Sequence, residues 1–426
     1  MRPSNPARLV YSCCHRQFKN GEWRLIPIKI RAFVAIALLC CVQPSRANDG
    51  LSIIYTYAKD SFGAILEEFS QQEGIPVRFE FKEQNDLKSS MMGMMEQNTT
   101  PDAIIMPADH MGLHSFIKYS EVNPADFPAK VPARIWASSY SDGKSYGVPL
   151  IQGNHLMLFY NKKWVQEPAA DWEAMFAQRA ALQAKGVAPI AWSFDEMYWF
   201  LPFLGAYGGW PLNAGKVQLN TPEMAAALDF YKTLRQRELP YPGCSYQCAV
   251  DLFKSGAVAY TINGDWIGKE FHAALGEDLG VSAIPTADGR KMVPTFSSHV
   301  LSFPNQSLTG SKRAQLLKLA NYLQSTAVQK HFWLAMGAIP VEQAAFEHAQ
   351  KNARGYLKKT IELMAETKPL PADKEMTFIW DAMGKGFLRH REGALDGQAA
   401  AKYMQQLAER HIRNAQRMVT PATANP

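Results

Sequence analysis

The sequence predicts an α/β protein of two domains, and three observations carry that expectation. The chain has 426 residues, which at roughly 100–200 residues per domain suits two. Apolar residues make up 47% and charged residues 20%, a balance that excludes a disordered or collagen-like chain. From residue 51 onward, short β-prone runs alternate with stretches of helical period, the mark of a mainly parallel sheet flanked by helices.

Taken in order, Leu51 to Tyr57 is a strand, and Asp60 or Ser61 caps a helix in which Phe62, Ile65, Leu66 and Phe69 recur at helical spacing. Gly74 ends that helix, and Val77 to Phe81 alternates like a strand. A Met-rich helix around Met91, Met92, Met94 and Met95 leads to the apolar strand Ala103 to Pro107. Ligands in such sheets sit at the carboxyl ends of strands, so Tyr57–Ser61 and Pro107–His110 form the expected mouth of a site. Residues 141–161 read as a turn and a strand, and 171–185 and 221–237 as helices. Thr221 is placed to cap the second of these, with Pro222 at its first position. Val258 to Ile262 is a strand ending at Asn263-Gly264, and 312–329 and 398–416 are amphipathic helices. No internal repeat is visible, and residues 418–426 read as a frayed tail.

The N-terminus changes the charge balance. Seven basic residues and one acid, Glu22, occupy the first 31 positions. An eleven-residue apolar run, Ala32 to Val42, follows, too short for the roughly 20 residues of a spanning helix. With Ser45-Arg46-Ala47 behind it, this reads as a secretory signal peptide over 1–47, cut after about Ala47. Cys40 and Cys41 lack the small preceding residue that lipidation requires. Removing the leader takes eight of the 45 basic residues and one of the 39 acids, leaving 37 against 38 and turning a net +6 into −1. No basic face then remains for a nucleic acid. Of six cysteines only Cys244 and Cys248 persist, and an even pair in an exported chain reads as a disulfide. Two free thiols or a metal half-site are the alternatives, and no His-Cys cluster lies near to complete a zinc site.

Catalytic signatures are missing: no nucleophile elbow, P-loop, HExxH or dinucleotide-binding glycine pattern occurs. Nothing in the sequence calls for a cofactor or a metal. The informative residues are aromatic. Nine Trp follow the leader, several beside Gly, Pro or Asp, as in Gly209-Trp210, Asp265-Trp266 and Trp380-Asp381, and another in Met197-Tyr198-Trp199. Flat rings cover the C–H faces of a sugar while carboxylates and amides bind its hydroxyl rim. Polar candidates stand in Lys59-Asp60, Asp109-His110, Asn154-His155 and Asp195-Glu196. The plainer reading makes each Trp a core residue, Asp60 and Asp109 helix caps, and His155 a satisfied loop histidine.

These segments together resemble the extracellular solute-binding proteins of sugar ABC importers, the family that includes maltose-binding protein. The resemblance is carried by Thr100-Pro-Asp102, Gly143-Lys-Ser-Tyr-Gly-Val-Pro149, Leu158-Phe-Tyr-Asn-Lys162, the run from Phe253 to Trp266, and Gly280 to Pro285. It implies two α/β lobes, each a mainly parallel sheet flanked by helices, joined by a hinge crossed three times, near Gln152, near Ser298–Ser302 and near Pro340. The first lobe would take 48–152 and 302–340, the second 153–301 and 341–417. By the same resemblance Lys59, Asp60 and Asp109 are polar ligand contacts of the first lobe. Glu196 and Tyr198 are the acid–aromatic pair of the second, and Trp266 and Trp380 are stacking tryptophans. Asn154 stands where the family has an acid, His110 where it has an arginine and Met106 where it has a tryptophan. Those departures do not carry maltose itself over.

The expected function is a monomeric periplasmic receptor that captures a sugar or short oligosaccharide and delivers it to the permease subunits of an inner-membrane ABC importer. The rivals are a receptor of the same fold for a polyamine or glycerophosphodiester, a secreted glycan-active hydrolase with two carboxylates about 5–10 Å apart, and a receptor that signals to a membrane kinase or chemoreceptor.

Overall fold

The computed structural model describes residues 50–419, residue 214 apart. The expected signal peptide, and the tail from 420 on, lie outside the described residues.

The first sheet grows from two near-continuous apolar runs, β1 (Leu51–Tyr55) and β3 (Ala103–Pro107), and the alternating β2 (Val77–Phe81). β1 pairs in parallel with both β2 and β3. Its two faces enter different cores: Leu51, Ile53 and Tyr55 pack with Phe62 and Phe69, Ile54 with Met91 and Met106. A strand covered on both sides reads as an unbroken apolar run, which is why β1 and β3 were legible without alternation. The sheet is completed by β4 (Gly147–Gly153), β9 (Thr295–Ser302) and β10 (Ile339–Pro340), in the order β10-β4-β9-β3-β1-β2, with a short strand, Lys368–Pro369, against β9.

The second sheet has the order β8-β5-β7-β6, built from β5 (Leu156–Asn161), β6 (Ala188–Ala191), β7 (Val258–Gly264) and β8 (Leu279–Ser282). Its core gathers Trp172, Trp192, Trp199, Phe200, Phe203 and Tyr231. Two layered lobes of helix and sheet result, as expected. The strand sense is more mixed than a mainly parallel sheet. Among the strands of these two sheets, β1–β2, β1–β3, β7–β6 and β9 with the short Lys368–Pro369 strand pair in parallel, and the other pairings are antiparallel. The reason is the path of the chain. A parallel neighbour needs a crossover, whereas strands that return straight from the other lobe, such as β9, enter reversed.

Local boundaries shift for identifiable reasons. The first helix spans Lys59–Glu73, starting at a left-handed Ala58 with no side-chain cap, so Asp60 and Ser61 lie inside its first turn and are not caps. Gly74, at φ 63°, ends it as expected. Thr221 caps Pro222–Gln236 by accepting from the Met224 N–H at 3.2 Å. The stretch 312–329 is two helices, Arg313–Leu323 and Thr326–Met336, because Ser325 caps the second. The last helix, Gly397–Val419, runs through the first two residues expected to fray. β9 pairs with β4 from Ser297 to Ser302 and with β3 from His299 to Ser302, whereas Thr295 and Phe296 pair with the short strand Lys368–Pro369. Among the described residues no helix is long and apolar enough to cross a membrane.

Candidate functional site

A cleft of about 1000 Å³ opens between the two sheets, at the carboxyl ends of β1 and β3. Seven of the eight residues expected to bind a ligand line it: Lys59, Asp60, Asp109, Asn154, Glu196, Tyr198 and Trp266. The eighth, Trp380, lies on the helix Glu375–Arg391 and meets Tyr198 at a centroid distance of 6.5 Å instead of facing the cavity.

The second-lobe wall is aromatic and braced. Tyr198 enters on the helix Met197–Ala206, and its hydroxyl donates to the Asn154 carbonyl. Its ring stands 6.3 Å from Trp266 and 5.7 Å from Trp199. Trp199 is fixed from behind, since its indole N–H donates to the Ile262 carbonyl at 2.9 Å. Trp266 follows β7, and its N–H donates to the Tyr246 hydroxyl at 2.9 Å. Its ring lies so close over Gly264 that a Cβ there would overlap it. The Tyr246 that holds Trp266 sits between the two cysteines. Cys244 and Cys248 are bonded to each other, with Cα atoms 5.3 Å apart. Ser245 caps the helix Tyr246–Lys254 that leaves this small loop.

The first-lobe wall is polar. Asp109 occupies the short 3₁₀ turn after β3, where Oδ1 is buried without a hydrogen-bond partner among the described residues. A buried carboxylate oxygen in that state is costly unless something else fills its lone pairs. The expected cap role does not hold for Asp109, since no side-chain cap bond forms in this turn. Asp60 and Lys59 are exposed at the cleft mouth, and the Lys59 ammonium lies 5.7 Å from the Phe81 ring. Glu196 faces the cavity from the second lobe, and desolvation by the surrounding wall raises its pKa.

Beneath Asn154 lies a buried acid–base pair. The His155 ring is fully buried, and its Nε2 donates to the Thr360 carbonyl at 3.0 Å. Its Nδ1 stands 3.9 Å from Asp265 Oδ2. Burial lowers the His155 pKa and raises that of Asp265, with each partner's charge working against the shift. Gly153, at φ 150°, is needed beside this pair, because a Cβ would overlap the Asp265 carboxylate. His155 is therefore the satisfied histidine of the plainer reading at one nitrogen only.

Tyr57 lies in the stretch expected to form the mouth, but no individual role was legible for it. Tyr246, Phe81, Glu83, Lys269, Glu270 and His299 also line the cleft and carry no local motif. For Tyr246 a signal existed, an aromatic inside a five-residue cysteine loop. Among the described residues no group of three His, Cys, Asp or Glu side chains is placed to hold a metal.

The model of the bacterial extracellular solute-binding proteins matches residues 64–358. The chain belongs to that family. Among curated members, this solute-binding protein is similar to the maltooligosaccharide ABC transporter solute-binding lipoprotein of Streptococcus pneumoniae, in strains R6 and TIGR4. The identity is 25% over 322 residues in each, covering 72% of this chain and 75% of the relative. Among solved structures it is similar to the maltose/maltodextrin-binding domain MalE from Bdellovibrio bacteriovorus bound to maltotriose. There the TM-score is 0.75 and the identity 26%, over 85% of this chain and 99% of that one. The two-lobed fold is thus the fold of an extracellular solute receptor.

Proposed function

We propose that this solute-binding protein captures a malto-oligosaccharide or a related short glucan in the interlobe cleft and presents it to an ABC importer. The observation that carries the reading is the wall of Tyr198 and Trp266, braced by Tyr246 and backed by Trp380, facing Asp109, Asp60 and Lys59 across one cavity. Rings on one side and carboxylates on the other match a sugar's apolar faces and hydroxyl rim. At about 1000 Å³ the cleft stands at the top of the roughly 300–1,000 Å³ span of small-molecule sites, which favours several sugar rings over one. The relatives named for maltooligosaccharide transport and the neighbour bound to maltotriose support the same class.

In this reading Lys59, Asp60, Asp109, Asn154, Glu196, Tyr198 and Trp266 contact the ligand, and Trp380 supports Tyr198. The first lobe comprises 48–152 and about 297–340, the second 153–296 and 341–417, and the leader is removed after about Ala47. The protein works as a monomer whose closed form the permease subunits recognise. It performs no covalent step, so ligand is recovered unchanged.

Titrating the protein with maltotriose while following tryptophan fluorescence and calorimetric heat tests the reading. Saturable binding with a change in Trp emission is the expected result. No response to any malto-oligosaccharide, with a response to spermidine or glycerophosphocholine, would replace the sugar class by another solute.

A further inference from the structure

One ring in the cleft is accounted for neither by the core nor by the resemblance. His299 lies on β9, pairing with Pro107 of β3 on one side and Ile151 of β4 on the other. The register slips between His299 and Val300, since Val300 faces Pro149 and not Leu150. A bulge of this kind bends the strand and re-aims a side chain, and such bulges collect beside binding sites. Here the side chain is turned into the cleft. It meets the Tyr57 ring at 4.7 Å between centroids, with planes tilted by 55°. No hydrogen bond among the described residues holds either ring nitrogen. Desolvation, helped by His110, lowers its pKa to about 4, so the imidazole is neutral at ordinary pH. A neutral imidazole offers one donor and one acceptor, the pair that a sugar hydroxyl can use.

The same wall lacks the tryptophan expected of the family. Met106, which stands in its place, is fully buried and accepts from the Tyr119 hydroxyl, at 3.7 Å from its sulfur. Tyr57 and His299 line the cavity from the first sheet's side in contact with each other, as Phe81 does from beside Lys59.

We propose that Tyr57 and His299 together form the first-lobe face of the sugar site. Tyr57 covers an apolar face of a sugar ring, and a ring nitrogen of His299 hydrogen-bonds a hydroxyl of the same unit. The assignment rests on the reading of the cleft as a sugar site, and it adds two specificity-determining residues that the sequence did not single out.

The test uses the mature protein, maltotriose as probe, and the variants His299→Ala and His299→Gln. Wild-type binding must be measured first, because its absence removes the sugar reading itself and this assignment with it. Given wild-type binding, His299→Ala should weaken maltotriose at least tenfold, and His299→Gln, which keeps a donor and an acceptor, should recover most of that loss. In wild-type protein with ¹⁵N-labelled histidine, the ring nitrogens of His299 should shift on saturation with maltotriose. That measurement does not depend on either variant folding. Unmoved His299 resonances at saturation, or wild-type affinity in His299→Ala, would overturn the assignment.

Discussion

At the scale of single residues, the proposed sugar site separates side chains that would stack on a ligand from side chains that brace them. Trp266 combines both, lying over Gly264 and donating to Tyr246. Trp266→Ala removes a stacking face together with its area, and aromatic contacts contribute about 0.5–1.5 kcal/mol beyond area burial. Affinity for maltotriose should fall roughly 10–100-fold by calorimetry, with little change in melting temperature, because Trp266 is only partly buried. Protonation acts at this scale too. His299, beside His110 and Tyr57, and His155, beside Asp265, are both held neutral by burial. A folded pKa below the unfolded one means that the full contribution to stability is present above about 6.5. As pH falls from there, the unfolded chain takes up a proton that the fold refuses, until His299 itself protonates near 4. The gap bounds the loss from His299 at roughly 3 kcal/mol. Asp265 and Glu196, whose pKa values are raised by desolvation, act oppositely and moderate the slope. Urea unfolding of ligand-free protein should show lower stability at pH 4.5 than at pH 7, with a smaller difference in His299→Gln.

At the scale of elements, the glycines and caps decide where the walls stand. Gly264→Ala places a methyl group where the Trp266 ring lies, so the ring must leave its position over β7. Maltotriose affinity should drop at least tenfold while circular dichroism stays unchanged, and unaltered affinity would mean that the ring has another resting place. Elements were also the best-read part of the sequence. Strands formed at 51–55, 103–107 and 258–264 where the chain is buried nearly as a block, the last running two residues past the expected Ile262, and at 77–81 where half-buried and exposed residues alternate. The cap at Thr221 formed because Pro222 cannot donate and presets the first turn. What failed was non-local. No pattern at 295–302 announces that β9 returns antiparallel into the first sheet, or that a bulge turns His299 toward the cleft. Asp60 was misread as a cap because a left-handed Ala58 starts the helix two residues early, and that conformation has no side-chain signature. Seven of the expected cleft residues were legible because they sit at strand and helix ends in matched motifs. Tyr246, Glu83 and Lys269 were not, since only the assembled walls bring them together.

At the scale of the whole molecule, the two lobes are bridged at the surface by contacts that are individually weak. Lys269 donates to the Ala335 carbonyl at 2.7 Å, and Lys374 pairs with Asp142 at 2.9 Å. Exposed contacts of this kind contribute about 0–1 kcal/mol each. On the proposed function, the balance between open and closed forms would be set by whatever fills the cleft and touches both walls. Small-angle scattering should show a smaller radius of gyration on saturation with maltotriose, and Lys269→Ala should leave the bound radius unchanged and the affinity within about twofold. A radius insensitive to bound ligand would reject lobe closure.

The brace on Trp266 carries a further consequence. Tyr246 is held in a ring of five residues closed by the bond between Cys244 and Cys248. That bond forms and persists in oxidising surroundings and is rare where thiols are kept reduced. On the proposed function, full affinity would be something that the chain acquires on arrival and does not possess at synthesis. A copy retained among cytoplasmic thiols would hold Trp266 less firmly and, if the cleft takes a glucan as proposed, compete poorly for it. Dithiothreitol should weaken maltotriose binding of the native protein several-fold and leave a Cys244→Ser/Cys248→Ser variant, already weakened, unaffected.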